Sequence, residues 1–358
     1  MVIDVAARRL QTQRLVGAPF ASAVDTVAGL GAVQAQDYAG AKWALGLRTH
    51  DLTEAALDRL FDAGTILRTH VMRPTWHFVL PADVRWLLDL TAPRVKAILA
   101  PYDRRLEIDP PLLRRSHAIL EAALRDGLSL TRDELAAELA RAGIPAAGQR
   151  LGHLLMHAEL DAIMTSGPRR GKQQTYALLA ERAPRARRLD RDEALAELTR
   201  RYFAGHGPAQ AQDFAWWSGL SLAEVKRGLA LVGSTLVPEV IGGKSYWGVS
   251  DAPATELLAP IVHLLPNFDE FLVGYRDRAA ALDPDRDFNV AALRNGSILS
   301  HVVILNGQVC GGWKRRLQAR QAIVELGPLV VLDLAEGAAL RQAVERLARF
   351  LGVPTTVA

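Results

Sequence analysis

Apolar positions recur every three to four residues through several stretches of the chain. Each set is followed by short alternating runs, and the combination repeats. The clearest copy begins at Arg114. Residues 114–127 read as an amphipathic helix and LSLT as a short extended piece. TRDELAAELARAG is a second helix, with Thr131 as N-cap, Glu134 completing a capping box and Gly143 as the stop. GQRLGHLLMHAELD is a third helix, and IMTSGP and QQTYALL are two strands joined by PRRGK. Helix, short strand, two helices and a hairpin is the order of a winged helix. The helix pair packs its apolar stripes together and the hairpin flanks the third helix.

The same order returns after Leu189. DEALAELTRRYFAG is a helix, Gly207-Pro208 opens a second one containing AQDFAWWSG, and SLAEVKRGLALVG is a third, with Ser221 and Glu224 in capping-box positions. STLVPEV and SYWGV, joined by IGGK, form its hairpin. A looser copy occupies the N-terminus, with helices near 5–16 and 22–30 and a third in LTEAALDRLFDAG. TILRTHVMR and TWHFVL then pair around Pro74, at the turn, where a proline costs no ladder bond. The C-terminal region changes character. IVHLLPNFDEFLVGY, ILSHVVILNGQVCGGWKRR and AIVELGPLVVLDL are β-branched and alternating, and Asn306-Gly307 is a strong hairpin turn. GAALRQAVERLARFLG closes the chain as a helix. The pattern predicts an α+β protein of three tandem winged-helix units, 1–95, 96–188 and 189–255. A C-terminal antiparallel β-barrel-like domain, 256–358, follows. PRARRLDRDE is the most linker-like stretch in the middle.

A length of 358 residues suits several compact units. Cys310 is the only cysteine, so no internal disulfide and no site of several thiolates can form, as expected of a chain in a reducing cytoplasm. No apolar run is long enough to span a bilayer, and the start MVIDVAARRL carries charge where a signal peptide needs an apolar stretch. The net charge of +4 leans only slightly toward an anionic partner.

The placement of polar groups says more. Gly31 ends a helix, so Val33 to Gln36 run extended and Gln34 and Gln36 share a face, with Val33 and Ala35 turned to the core and Asp37 beside them. Two adjacent amides can hold a water molecule, although spacing alone reads first as the wet face of a strand. The same letters recur at Gln210-Ala211-Gln212-Asp213. There Gly207-Pro208 argues for a helix start, and residues two apart on a helix do not face each other. The second copy is therefore read as structural. The first wing carries Arg68, His70, Arg73, Thr75, Trp76 and His77. Its Arg and His groups suit phosphates, while Trp76 alone is read as a core residue. Arg169-Arg170-Gly171-Lys172 is a basic turn on the second wing, and Lys314-Arg315-Arg316 follows a C-terminal strand.

Other motifs fail. GGKS at 242–245 lacks the upstream glycine of a phosphate loop, which is Pro238 here. Asp283, Asp285 and Asp287 imitate a calcium loop but have Phe288 at the turn and Arg294 in place of the bidentate Glu. His153 and His157 have metal-ligand spacing without the catalytic Glu, because Leu154 follows His153.

Gln34-Ala35-Gln36, the wing His70…Arg73-Pro74-Thr75…His77 and the stretch Pro266-Asn267-Phe268-Asp269-Glu270 resemble the AlkZ/YcaQ-like winged-helix DNA glycosylases over nearly the whole chain. That resemblance implies excision of N-alkylated, cationic purines from double-stranded DNA, bulky adducts or interstrand crosslinks included. It puts Gln34 and Gln36 in the catalytic positions. DNA contacts are expected at His70, Arg73, Thr75, His77, Arg169, Arg170 and Lys172. No cofactor or metal is called for, and the protein is expected to be a cytoplasmic, nucleoid-associated monomer. Asp37 stands as a candidate electrostatic helper. A non-catalytic winged-helix DNA binder or regulator is the alternative. A metabolic enzyme using Asp269 and Glu270 is a weaker third, with no matching acid–base partner visible beside them.

Overall fold

In the computed structural model, residues 5–249, 257–282, 300–318 and 320–358 are described, and they form a mixed α+β fold. The first elements are α1 (Val5–Thr12), α2 (Ala23–Leu30), β1 (Val33–Gln34), α3 (Tyr38–Gly46), α4 (Glu54–Asp62), β2 (Leu67–His70) and β3 (Trp76–Val79), with sheet order β1-β3-β2. After α5 (Val84–Arg105) the same order returns as α6 (Pro110–Ala123), β4 (Leu130–Thr131), α7 (Arg132–Arg141), α8 (Gly148–Leu160), β5 (Met164–Ser166) and β6 (Thr175–Leu178), with sheet order β4-β6-β5. A short α9 (Leu179–Arg182) leads to α10 (Arg191–His206), α11 (Ala211–Ser218), α12 (Leu222–Val232) and the hairpin β7 (Val237–Ile241) and β8 (Lys244–Gly248). There an isolated bridge between Ala209 and Trp247 stands where the other two segments have a short first strand.

The helix starts follow the local chemistry. Thr131 with Glu134, Asp190 with Glu193 and Ser221 with Glu224 form reciprocal capping boxes, satisfying donors that a bare helix end leaves open. Helices α3 and α5 lie outside the sequence-based assignments. α5 carries Pro93 and Pro101 in its interior, residues that ordinarily break a helix. Burial of Trp86, Leu87, Leu90 and Val95 keeps it helical, and it runs through the expected boundary at 95/96. α1 also departs from expectation. Its Ala6 and Leu10, with Leu15 and Val16 after it, pack into the C-terminal core rather than into the N-terminal unit.

The C-terminal part is β9 (Val262–Leu265), α13 (Glu270–Val273), β10 (Val302–Leu305), β11 (Gln308–Leu317), β12 (Ala322–Leu329), α14 (Leu334–Leu351) and β13 (Thr355–Val357). Its five strands pair in the order β13-β12-β11-β10-β9. β12 and β13 run parallel, so this sheet is mixed rather than all antiparallel, and among the described residues β9 and β13 lie at its two edges. Asn306 (φ 51) and Gly307 (φ 85) make the turn read from sequence. The expected strand through 261–275 stops before Pro266 and gives way to α13. Lys314, Arg315 and Arg316 lie inside β11 rather than at a hairpin tip, with Arg316 paired to Glu325 at 3.1 Å. The aspartates at 283, 285 and 287 lie outside the described residues.

The N-terminal unit is fastened to this sheet by charge. Arg48 is fully buried and grips Asp269 with both terminal nitrogens, at 2.7 and 2.9 Å, while also donating to Gln13 at 2.8 Å. Asp269 in turn caps α13 through the Phe271 N–H at 2.9 Å. Arg48→Ala would leave that carboxylate buried without a partner, and we expect a loss of about 3–5 kcal/mol in urea unfolding. Arg48→Lys should recover little, since an ammonium cannot reproduce the two-pronged contact. An unchanged urea midpoint in both variants would show that the pair contributes nothing.

Candidate active site

The chain leaves α2 at Gly31, whose φ of 80 suits glycine, and turns extended. Val33 and Gln34 pair with Phe78 and His77 of β3, and the Ala35 N–H continues the ladder to the Trp76 carbonyl at 2.7 Å. Val33 and Ala35 are buried in the core of the N-terminal unit; Gln34 closes β1, and Gln36 lies in the bend that follows rather than in the strand. Their surroundings differ. Gln34 is 6% exposed; its main-chain N–H donates to Glu270 Oε1 at 2.7 Å and its side-chain Oε1 accepts from Arg73 Nη2 at 2.8 Å. Gln36 is exposed and lines a 630 Å³ cavity, whereas Gln34 is not among the residues of that lining. Asp37 has another task. It is the N-cap of α3, accepting from the Gly40 N–H at 3.0 Å.

Glu270 is the residue that sequence reasoning misplaced. Fully buried, it accepts from the Gln34 N–H, from Trp217 Nε1 at 2.8 Å and from His206 Nε2 at 3.1 Å. Burial alone would raise its carboxyl pKa. The His206 bond and charge, with the Gln34 N–H, outweigh burial and hold it below the ordinary value. An acid–base role for Asp269 and Glu270 is thereby left without a free group, since Arg48 and these donors occupy both. The signal in the sequence was two adjacent acids inside an otherwise apolar run, a pattern that requires partners.

On the wing, His70 faces Trp76 and Thr69 faces His77 across the ladder. The His70 and Trp76 rings lie 4.2 Å apart, and Arg68 Cζ sits 4.3 Å from the Trp76 ring. His70 Nδ1 bonds Glu159 of α8, which ties the wing to the next unit. Trp76 is half-buried and forms a wall of the cavity, not part of the core. The opposite wall comes from α8 and α5, through Gln149, His153 and Tyr102. His153 and His157 both bind Asp103 of α5, at 2.8 and 2.9 Å, and so brace the two helices.

His77 is fully buried, its Nδ1–H donating to the Thr75 carbonyl at 3.0 Å. Burial, then the Arg73 charge, pushes its pKa down to about 3, so it is neutral at ordinary pH and carries no charge for a phosphate. The Thr75 hydroxyl is likewise shut away from solvent. Arg73 is aimed by a strained turn. Met72 has φ 66, and the Arg73 N–H closes a three-residue turn on the Val71 carbonyl at 2.7 Å. Gly219 allows α11 to approach this turn, because a Cβ there would stand 2.2 Å from the Met72 carbonyl oxygen.

The hairpin of β5 and β6 spends its charge internally. Arg169 pairs with Asp58 at 3.1 Å and Asp62 at 3.4 Å on α4, and Arg170 pairs with Glu134 at 2.6 Å. Lys172 is exposed, with no ion pair among the described residues. The structure thus gathers Gln36, His70 and Trp76 at the cavity and couples Gln34 to Arg73. Thr75 and His77 stay inside, and Arg169 becomes a fastening between units.

A cavity lined by the amide of Gln36 and by the rings of Trp76, Tyr102 and Tyr176, on repeated helix-and-hairpin segments, fits the DNA glycosylase class, which must receive a nucleobase turned out of its duplex. The chain belongs to the AlkZ-like DNA glycosylase family, whose model matches residues 27–350. It is 28% identical over 328 residues to the interstrand DNA cross-link repair glycosylase of Streptomyces sahachiroi, a match covering 87% of each chain. Its fold is that of the solved Streptomyces sahachiroi DNA glycosylase AlkZ, with a TM-score of 0.80, 23% identity, and coverage of 99% of this chain and 98% of that one.

The buried histidines make stability depend on pH. In the fold His77 takes a proton only near pH 3 and His263 near pH 4, whereas both do so near 6.5 when unfolded. Between those values the unfolded chain binds more protons, so stability is full above about pH 6.5 and falls as pH drops. His77→Gln should flatten this dependence in urea unfolding series, leaving the shares of His263, His117 and His301, whose pKa values burial also lowers. A slope identical to that of the parent protein would mean that His77 titrates normally in the fold.

Proposed function

We propose that the protein is a monofunctional glycosylase that hydrolyses the N-glycosidic bond of N-alkylated, cationic purines in double-stranded DNA. In this reading the three helix-and-hairpin segments are winged-helix units that clasp the duplex without dimerising. The observation that carries the reading is the pair of amides. Gln36 stands in the cavity beside Trp76, and Gln34, two residues before it, has its carbonyl oriented by Arg73 and its backbone held by Glu270.

The chemistry suits amides. As the bond between the base nitrogen and C1′ breaks, its electron pair goes to the base. A purine alkylated at N7 already carries positive charge, so it leaves neutral without prior protonation. Positive charge builds on the sugar, where a fixed amide carbonyl dipole stabilises it. A water held between Gln34 and Gln36 adds its oxygen to C1′ and releases its proton to solvent, leaving an abasic site and the free base. An amide is a weaker base than a carboxylate. It gives little help with a neutral nucleoside, which supports selectivity for cationic lesions. The relative's name supports interstrand crosslinks among the substrates. Protein groups suffice for these steps, and a cytoplasmic, nucleoid-associated setting follows from the DNA substrate.

Single-turnover excision of N7-methylguanine from a duplex tests the site. Gln34→Ala and Gln36→Ala should each slow excision with little effect on binding. The double variant should be little slower than the worse single one, because both residues act on one water. Gln36→Asp should retain part of the rate. Abasic sites formed at the parent rate by the double variant would reject the site. Tight binding without any abasic product from the unaltered protein would favour the non-catalytic winged-helix binder.

A second test asks whether the second wing grips phosphate. Arg169 and Arg170 already carry carboxylates, so only Lys172 has a charge free of such pairing. Lys172→Gln should make the dependence of DNA affinity on salt shallower by roughly one phosphate contact. Arg170→Gln should change it less. An identical salt slope for Lys172→Gln and the parent would remove this wing from the interface.

A further inference from the structure

Arg73 has a second neighbour besides Gln34. Trp216 lies on α11, 41% exposed, with its Nε1–H donating to the Val273 carbonyl at 3.1 Å, so the ring is fixed in place at the surface. Arg73 Cζ lies 5.7 Å from the centre of that ring and Arg278 Cζ 5.5 Å from it. Both fall within the range at which a guanidinium is attracted to an indole. Two arginines from distant parts of the chain thus meet around one exposed tryptophan.

Neither arginine pairs with a carboxylate among the described residues. Arg73 donates one N–H to Gln34, and Arg278 donates its Nε–H to the Leu272 carbonyl at 2.9 Å. Arg73 Nε and Arg278 Nη2 are closed off from solvent with no hydrogen-bond partner. The nearby acids are already engaged. Glu270 is held by Gln34, His206 and Trp217; Asp213 accepts the N–H groups of Gln210, Arg276 and Asp277; and Asp277 is bound by Lys244 at 2.6 Å. Burial depresses both guanidinium pKa values, more than the charges of Glu270 on Arg73 and of Asp213 on Arg278 restore, and the charge of Arg278 depresses that of Arg73 further.

Arg201, buried to a similar degree, is by contrast matched by Asp83 and Glu197. Like charges brought together and partly desolvated are a costly arrangement that an anion would relieve. We propose that Arg73 and Arg278, gathered around Trp216, bind a backbone phosphate of the DNA strand that carries the damaged nucleotide. The identity of the anion rests on the glycosylase reading above. The site joins the wing, α11 and the segment after α13, and it sits beside Gln34. Arg73 therefore links the seated phosphate to the carbonyl of the catalytic amide.

Binding of an undamaged duplex, followed by fluorescence anisotropy over a range of salt, tests the clamp. Arg278→Gln should weaken binding several-fold and make the slope of log K against log salt shallower by about 0.9, the share of one phosphate. Arg278→Lys should keep the slope. A second duplex, carrying a single N7-methylguanine and scanned with neutral methylphosphonate linkages, should show one linkage near that lesion whose neutralisation weakens the parent protein but not Arg278→Gln. Affinity and slope unchanged in Arg278→Gln would overturn the clamp. So would a scan of the unaltered protein with no sensitive linkage, a result independent of any variant's folding. Arg278-dependent binding without excision would keep the clamp and sink the glycosylase reading. Excision by a protein indifferent to Arg278 would do the reverse.

Discussion

A carboxylate sealed from water must be given its hydrogen bonds by the protein or the fold cannot hold it, and Glu270 is such a group. Its donors come from β1, α10 and α11, so satisfying this one side chain fixes how the first unit, the third unit and the C-terminal segment meet. Asp269 beside it does the same for Arg48 and α1, through Gln13. The short α13 that carries both acids is therefore a junction, and the strand bearing Gln34 hangs from it. A weakness at this junction would be felt at the site before it was felt in the outlying helices.

Much of this was legible in the sequence where local chemistry decides. The capping residues Thr131 and Ser221 mark their helices, Asn306-Gly307 marks its turn, and Val33 and Ala35 go to the core as their alternation with two glutamines implies. What failed to show was decided by packing. Two prolines hid α5, which tertiary burial holds helical. α1 has the amphipathic look of any first helix, and nothing local says that its apolar face goes to the C-terminal sheet. Trp76 reads as core by residue type, yet cross-strand pairing with His70 puts it on the open face.

The charges show the same division. A run such as Arg169-Arg170-Gly171-Lys172 looks like a phosphate grip, but Asp58, Asp62 and Glu134 reach two of its members from other elements. Arg278 drew no attention as one arginine among many, and stands out only once its neighbours are seen to be committed elsewhere. Residue type proposes an ion's partner, and three-dimensional accounting of acids and bases settles which cations remain open to a ligand.

The unbroken run of α5 gives the cavity a property of a different kind. One wall belongs to the wing just before this helix and the other includes Tyr102 near its end, with Asp103 bracing α8. The distance and angle between the walls are therefore a count of residues along a rod about 33 Å long. Adding or removing a single residue would rotate everything beyond it by about 100° and carry Tyr102 away from the opening. Homologous chains that keep this cavity should vary freely in surface loops yet tolerate insertions in this helix only in steps close to whole turns. The size of what the cavity admits is in that sense written in a length rather than in the identity of its lining residues.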